Sequence, residues 1–373
     1  MFWGGILICD DFCIIEIIVS HDPKTRKRLF RINTGIKCAK LTKFCYYIVY
    51  MKKILLSGVK PTGSPHIGNY FGAMRQFVEL QNKYDSLFMI ADYHALNLVK
   101  NKKEMEENIL NIALDYLAIG LDPKKVTIFK QSDVSAHTEL AWIFDTITTM
   151  PYLMRAHAYK DAEAKSKEIN VGTFNYPMLM AADILLYDAE VVPVGQDQKQ
   201  HVEYARDTAQ KFNNTFGEIF KMPEPLIIEG MSVIPGIDGQ KMSKSYKNTI
   251  PLFGTDEEIR KIVMRIVTDS KNATDPKDPN SCNIFALHKL FLKEKDLAIL
   301  HNRYLKGDIS YKESKEMLCN EIIEYFKPMR ERRNKYEKNI NKVKKILKAG
   351  AKKTNKIASK KMGAVKNLIG INI

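Results

Sequence analysis

Three short segments of this 373-residue chain combine residue types that could do chemistry together: Pro61-Thr-Gly-Ser-Pro-His66-Ile-Gly68-Asn69, Gly195-Gln196-Asp197-Gln198-Lys199-Gln200-His201 and Lys241-Met242-Ser243-Lys244-Ser245. Activating a carboxylic acid with ATP needs backbone that admits a nucleotide, a carboxylate for ribose hydroxyls and cations for a departing pyrophosphate. The three segments supply these in a workable order. His66 and Asn69 are three apart and share one face of a helical turn, while Gly68 removes a Cβ that would block a flat base or ribose. Taken alone, His66 is equally a residue that starts a helix. Lys241 and Lys244 follow the glycine-rich Pro235–Gly239, and two lysines three apart could close over a triphosphate and neutralise charge developing in the transition state. A solvated basic loop is the plainer alternative. Val191–Val194 leads as a strand into Gly195, with Asp197 available to ribose hydroxyls and Gln198 to a polar substrate group; Lys199 and His201 read as surface or helix-start residues.

The segment around Asp183 bears on specificity. Tyr176, Met180, Asp183 and Tyr187 are spaced by four, three and four, which places one acid on a helix face with two aromatics and a thioether. A buried polar group left unpaired costs about 1 to 3 kcal/mol, and a charge more. Either a ligand N–H or O–H in an apolar body, such as an indole or a phenol, meets this acid, or a neighbouring side chain or backbone amide does.

The elements that must carry these residues follow from periodicity and turn signals. Lys53–Ser57 reads as a strand, His66 opens a helix to about Leu80, Leu87–Ala91 is a second strand, and Glu104–Leu117 is a helix closed by Gly120. Strands at Val126–Phe129, Glu190–Val194 and Pro225–Glu229 complete an α/β pattern with a parallel sheet, and nearly everything after Asp256 reads as helix. The expected organisation is an N-terminal extension (1–50), a Rossmann-like nucleotide-binding domain (51–254) that ends in the lysine loop, and an all-helical C-terminal domain (255–373).

Composition limits the classes available. Hydrophobic residues at 45% and charged residues at 27% suit a folded globular chain rather than a disordered or fibrous one. The formal net charge is +15, and Lys327–Lys366 holds 16 Lys or Arg against Glu331 and Glu337 alone. Six cysteines form no CxxC pair, which gives no support to a structural metal and suits reduced thiols in a cytosol-like compartment. The apolar run Phe2–Ser20 is broken by acids and fits neither a signal peptide nor a membrane span, whereas Lys24–Lys53 is basic and free of acids. Met51 is the favoured natural start, against a targeting segment or a poorly ordered extension.

Together these residues resemble the class I aminoacyl-tRNA synthetases, and within them the bacterial tryptophanyl family. The resemblance runs from about Lys52 to the C-terminus and is carried by residues 68–75 (Gly-Asn-Tyr-Phe-Gly-Ala-Met-Arg), 179–187 (Leu-Met-Ala-Ala-Asp-Ile-Leu-Leu-Tyr) and 192–201 (Val-Pro-Val-Gly-Gln-Asp-Gln-Lys-Gln-His). A tyrosine enzyme would be expected to show Ser-Asp-Gln-Trp-Gly-Asn near the third string. The resemblance implies that Asp183 accepts an indole N–H, that Tyr176, Gln198 and His94 hold the amino acid, and that Met180, Val192 and Val194 pack against its ring. For ATP it implies Lys60, Pro61, Thr62, Gly68, Asn69, Gly195, Gln196, Asp197, Ile234, Lys241, Met242, Ser243, Lys244 and Ser245, with His66, Lys241 and Lys244 serving catalysis. Lys60 stands where many relatives carry glutamine, and Leu56 where some carry phenylalanine.

The implied reaction joins L-tryptophan to ATP, carried with Mg2+ on its phosphates, and passes the adenylate to the 3′ end of tRNA(Trp). A cytoplasmic homodimer without membrane attachment or a protein-bound structural metal is implied as well. The basic tail gains tRNA phosphates as its partner: Arg330, Arg332, Arg333, Lys335, Lys338, Lys342, Lys344 and Lys345 would face outward while Ile340, Val343 and Leu347 dock inward. A tyrosyl enzyme, a small-molecule nucleotidyltransferase and a tRNA-binding relative without catalysis are the competing readings.

Overall fold

Leu55 and Leu56 are adjacent on one strand, so their side chains leave opposite faces, and both are buried. A strand buried on both faces belongs inside a parallel sheet with helices on each side. The computed structural model describes the backbone of residues 3–9, 13–22, 27–34, 45–50, 52–164, 168–195, 199–227 and 234–372, and side chains from residue 52 onward except 157, 158, 161 and 162. It forms two compact units, 1–53 and 54–373. In the first, β1 (Trp3–Cys9), β2 (Cys13–Asp22), β3 (Lys27–Thr34) and β4 (Cys45–Tyr50) pair antiparallel in that order.

The second unit is built on β5 (Ile54–Val59), β6 (Asp85–Ile90), β7 (Thr127–Lys130), β8 (Val191–Val194) and β9 (Glu224–Ile227). All five run parallel in the order β7-β6-β5-β8-β9. The chain steps outward from β5 through β6 to β7, then returns to lay β8 and β9 on the other side. The crevice between the carboxyl ends of β5 and β8 is therefore the topological switch point, where such sheets bind ligands. Alternation along the strands sorts the core in two: Leu55, Phe88, Ile90 and Ile128 pack on one face, Leu56, Met89, Phe129, Val192 and Val194 on the other.

After β5, α1 (Ile67–Asn69) continues through a π-helical turn at Tyr70–Met74 into α2 (Arg75–Leu80). Then come α3 (Asp92–Ala95), α4 (Lys102–Ile119), α5 (Ala136–Ile147), α6 (Met150–Leu153), α7 (His157–Ala164), α8 (Val171–Leu185) and α9 (Lys199–Phe216). Asn101 caps α4 by accepting from Glu104 N at 3.0 Å, and Gly120 ends it with φ 112°, a left-handed conformation that costs glycine least. Asn170 caps α8 in the same way, accepting from Thr173 N at 2.8 Å.

Beyond the lysine loop lie α10 (Asp256–Val263), α11 (Asn283–His288), α12 (Glu294–Lys306), α13 (Tyr311–Glu337) and α14 (Ile340–Leu368). α13 packs on α4, and α14 lies against β7 of the sheet rather than apart from it. Gly350 of α14 runs so close to β7 that a Cβ there would sit 1.9 Å from the carbonyl oxygen of Ile128. Thr354, Ala358, Met362 and Val365 continue the same buried stripe. Three of the arginines expected to face outward turn inward. Arg330 meets Asp256 at 2.8 Å, Arg332 donates to Ala118 O at 2.8 Å, and Arg333 donates to Asn111 at 2.8 Å and lies 3.4 Å from buried Asp115. For Arg332 and Arg333 the reason is local: α13 packs on α4, where a carbonyl of the last turn and the Asn111 side chain need donors. Lys335, Lys338, Lys342, Lys344 and Lys345 remain exposed.

Candidate active site

A cavity of about 510 Å³ opens at the switch point. It is walled by Leu56–Lys60 from β5, Val192–Gly195 from β8, and Tyr176, Met180 and Asp183 from α8, with His94 of α3 and His201 of α9. Of the face expected from the spacing of Tyr176, Met180, Asp183 and Tyr187, the first three line the crevice, joined by His94, Val192 and Val194, whereas Tyr187 lies past the end of α8, buried against His137 and outside the cavity wall. Leu56 reaches the cavity because strand alternation sends it, with Met89, toward α8.

Asp183 is buried and already partnered. Its Oδ2 lies 2.9 Å from Nε2 of His94; its Oδ1 accepts from Gln131 Nε2 at 2.8 Å and lies 2.6 Å from Nδ1 of His137. The neighbouring-side-chain alternative therefore holds without ligand. A carboxylate offers about four acceptor positions, so the two hydrogen bonds from His94 and Gln131, with His137 approaching as an ion pair, leave acceptor capacity for a further donor. Burial alone would raise the Asp183 pKa, but His137 and then His94 pull it well below the ordinary carboxylate range. These neighbours favour the charged form of the carboxyl.

His201 lies in the first turn of α9, as a helix-start residue would, but not at the surface. It is 7% exposed, lines the cavity and makes a short contact from Nε2 to the Tyr176 hydroxyl. The amphipathic face of α9 turns Val202, Ala205 and Ala209 into the core, and His201 precedes that stripe at the cavity rim. His137 and Gln131 were missed. Their signals were present: Gln131 is a polar residue at the carboxyl end of a strand, and His137 interrupts the apolar face of α5.

The histidine turn sits at the far end of the β5 loop. His66 caps α1 reciprocally with Asn69: His66 Nδ1 accepts from Asn69 N at 3.3 Å, and Asn69 Oδ1 accepts from His66 N at 3.1 Å. Their spacing of three is thus the spacing of a capping box. Burial, then the Lys244 charge, lowers the His66 pKa to about 4, so its ring is neutral at ordinary pH. A Cβ on Gly68 would meet His66 Nδ1 at 2.9 Å and Met242 Cβ at 3.3 Å, so Gly68 lets the lysine loop press against the turn.

That loop is tied to the turn by backbone. Ile67 N donates to Ile250 O at 3.0 Å and Leu252 N to Pro65 O at 3.2 Å. Met242 is buried and its N–H donates to the carbonyl of buried Ile234 at 2.9 Å. Ser243 N donates to Asn248 Oδ1 at 2.8 Å, and Ser245 N to Ser243 Oγ at 3.3 Å. Lys241 is exposed, whereas Lys244 Nζ reaches the Thr62 carbonyl at 3.1 Å. The stretch from Gly58 through Lys60 and Pro61 to Thr62 therefore joins the two halves: Lys60 lines the cavity while Thr62 takes the lysine loop. Burial lowers the pKa of both Lys60 and Lys244. Gln196, Asp197 and Gln198 lie outside the described residues. Among the described residues no group of three acidic, His or Cys side chains is placed to hold a metal, and no helix is long and apolar enough to cross a membrane.

A parallel sheet with a neutral histidine turn at its first strand, a dilysine loop bound against it and a specificity helix across the crevice defines a class I aminoacyl-tRNA synthetase. Residues 51–327 match the family of class I tRNA synthetases for tryptophan and tyrosine. The chain is 50% identical over 317 residues to the tryptophan–tRNA ligase of Fusobacterium nucleatum, covering 85% of this chain and 97% of that one. It is 47% identical over 305 residues to that of Rhodopirellula baltica, covering 82% and 95%. The crystal structure of Campylobacter jejuni tryptophanyl-tRNA synthetase complexed with ADP and tryptophan superposes with a TM-score of 0.81 at 46% identity, over 85% of this chain and 99% of that one. The chain belongs to the tryptophanyl-tRNA synthetases.

Proposed function

We infer that this chain is a tryptophan–tRNA ligase, which joins L-tryptophan to ATP as tryptophanyl-adenylate and transfers it to the 3′ end of tRNA(Trp). The observation that carries the reading is the buried Asp183 carboxylate on the α8 face that lines the crevice, with an acceptor position that its side-chain partners leave unfilled. The indole N–H would take that position, with Met180, Val192, Val194 and Leu56 against the ring, and Tyr176, His94 and Gln198 toward the amino-acid end. ATP would lie across the His66 turn, the 58–62 stretch and Gly195, with Gln196 and Asp197 at its base and ribose.

No enzyme nucleophile is needed, because the tryptophan carboxylate attacks the α-phosphorus and pyrophosphate leaves. Catalysis is then orientation plus charge stabilisation. Lys241 and Lys244 would follow the departing pyrophosphate, Lys244 exchanging the Thr62 carbonyl for phosphate oxygens. Mg2+ would arrive on the nucleotide as part of the substrate. Residues 51–254 would do this chemistry, and the exposed lysines within 255–373 would meet tRNA phosphates. A cytoplasmic homodimer completes the proposal. Exchange of labelled pyrophosphate into ATP tests it: tryptophan is expected to support exchange and tyrosine not. Exchange with tyrosine alone, or with no amino acid, would overturn the reading.

A further inference from the structure

We propose that His137, which does not line the crevice cavity, is a positioning residue for tryptophan selection, holding the Asp183 carboxylate in place for the indole N–H. The proposal rests on the reading of Asp183 as the indole acceptor. His137 is 0% exposed and its two ring nitrogens face different partners: Nδ1 lies 2.6 Å from Asp183 Oδ1, and Nε2 lies 2.8 Å from the Tyr187 hydroxyl. The first contact is an ion-pair approach lying off the N–H axis, and the aligned bond to the same oxygen comes from Gln131. Orientation of a histidine by a group on its far nitrogen is how proteins set the tautomer presented to a first partner.

The surroundings leave the ring no alternative seat. Phe129 of β7 stacks on it at 6.3 Å between centroids with planes 20° apart, and Tyr187, itself buried, packs beside it at 5.4 Å. Thr354 of α14 reaches the Tyr187 hydroxyl in turn. The groups facing Asp183 are therefore His94 from α3, Gln131 from the turn after β7, His137 from α5 and Tyr187 beyond α8. Of these, His137 is the largest influence opposing burial on the carboxylate. Removing it leaves only His94 and the Gln131 amide against desolvation, so the carboxyl protonates at a higher pH and loses its acceptor role there.

The test is pyrophosphate exchange by the full chain carrying His137→Phe, His137→Asn, Tyr187→Phe or Asp183→Asn, with tryptophan and with its benzothiophene isostere, which lacks the N–H. Loss of one interaction to a buried charge predicts that His137→Phe raises KM for tryptophan roughly 10- to 100-fold, with KM for ATP unchanged. Discrimination against the isostere should fall, and the acid limb of kcat/KM for tryptophan should move to higher pH. His137→Asn puts an amide nitrogen in the place of Nδ1 and should recover much of the loss; Tyr187→Phe should show a smaller loss of the same kind. Equal changes for tryptophan and ATP with discrimination retained would make His137 merely structural and overturn the proposal. If His137→Phe does not fold, unchanged discrimination in both His137→Asn and Tyr187→Phe overturns it. If Asp183→Asn itself keeps wild-type discrimination, the underlying reading of Asp183 fails instead.

Discussion

Two glycines on α14 should respond to alanine with opposite signs. At Gly350 the new Cβ would lie 1.9 Å from the Ile128 carbonyl oxygen and 2.8 Å from its carbon, while at Gly363 it would meet nothing within 4 Å. Ordinary contact begins near 3.4 Å, so at Gly350 helix and strand must part by about 1.5 Å, and both atoms in conflict are backbone that no rotamer relieves. Overpacking of this kind costs about 1 to 3 kcal/mol, against a helix gain of about 0.5 to 1 kcal/mol for replacing glycine by alanine. Gly350→Ala should therefore lose up to about 2.5 kcal/mol net, and Gly363→Ala should gain about 0.5 to 1 kcal/mol. Each kcal/mol shifts the thermal midpoint of a domain this large by about 2 °C, so the two variants should straddle the parent in a thermal melt. Because β7 runs into Gln131, a partner of Asp183, Gly350→Ala should also raise KM for tryptophan more than KM for ATP. Equal midpoints for the two variants would refute the docking of α14 on β7.

His66 loses protons on folding, so its contribution is fully present above pH 6.5 and is lost as pH falls toward about 4. A denaturation series over that window should show up to about 3 kcal/mol of acid lability, reduced in a cap-competent His66→Asn; identical slopes would contradict it. Lys244→Ala should lower kcat for adenylate formation about 10²- to 10³-fold with little change in KM for tryptophan, measured by pre-steady-state exchange. Lys342→Ala with Lys345→Ala should flatten the salt dependence of tRNA binding by up to about 0.9 per lost phosphate contact. Arg332→Ala, which empties a donor to Ala118 O, should instead lower the melting midpoint while leaving that slope alone.

The parallel sheet was legible because each strand is a short apolar run bounded by turn residues, and its carboxyl ends lead into the segments singled out for chemistry. The shared face of Tyr176, Met180 and Asp183 was legible because helical spacing is local. What surrounds Asp183 was not: His94, Gln131 and His137 come from three other elements, and nothing in one sequence records which faces meet. The spacing of His66 and Asn69 was legible as a helix start or a ligand-facing pair, and the capping box they form realises the first without bearing on the second. The basic tail shows the limit of charge counting. Lys342, Lys344 and Lys345 on α14 stay in water, but Lys361 on the same helix pairs with Asp188, and Arg332 and Arg333 on α13 bond to α4, and only the packed structure separates the two roles.

The measurement that reaches furthest into the account is the indole N–H resonance of tryptophan, labelled with nitrogen-15, bound to the wild-type chain and to Asp183→Asn. A bond to the buried carboxylate predicts a proton shift well downfield of free tryptophan in the wild type and its return toward the free value in the variant. The same resonance position in both proteins would mean that Asp183 does not read the indole.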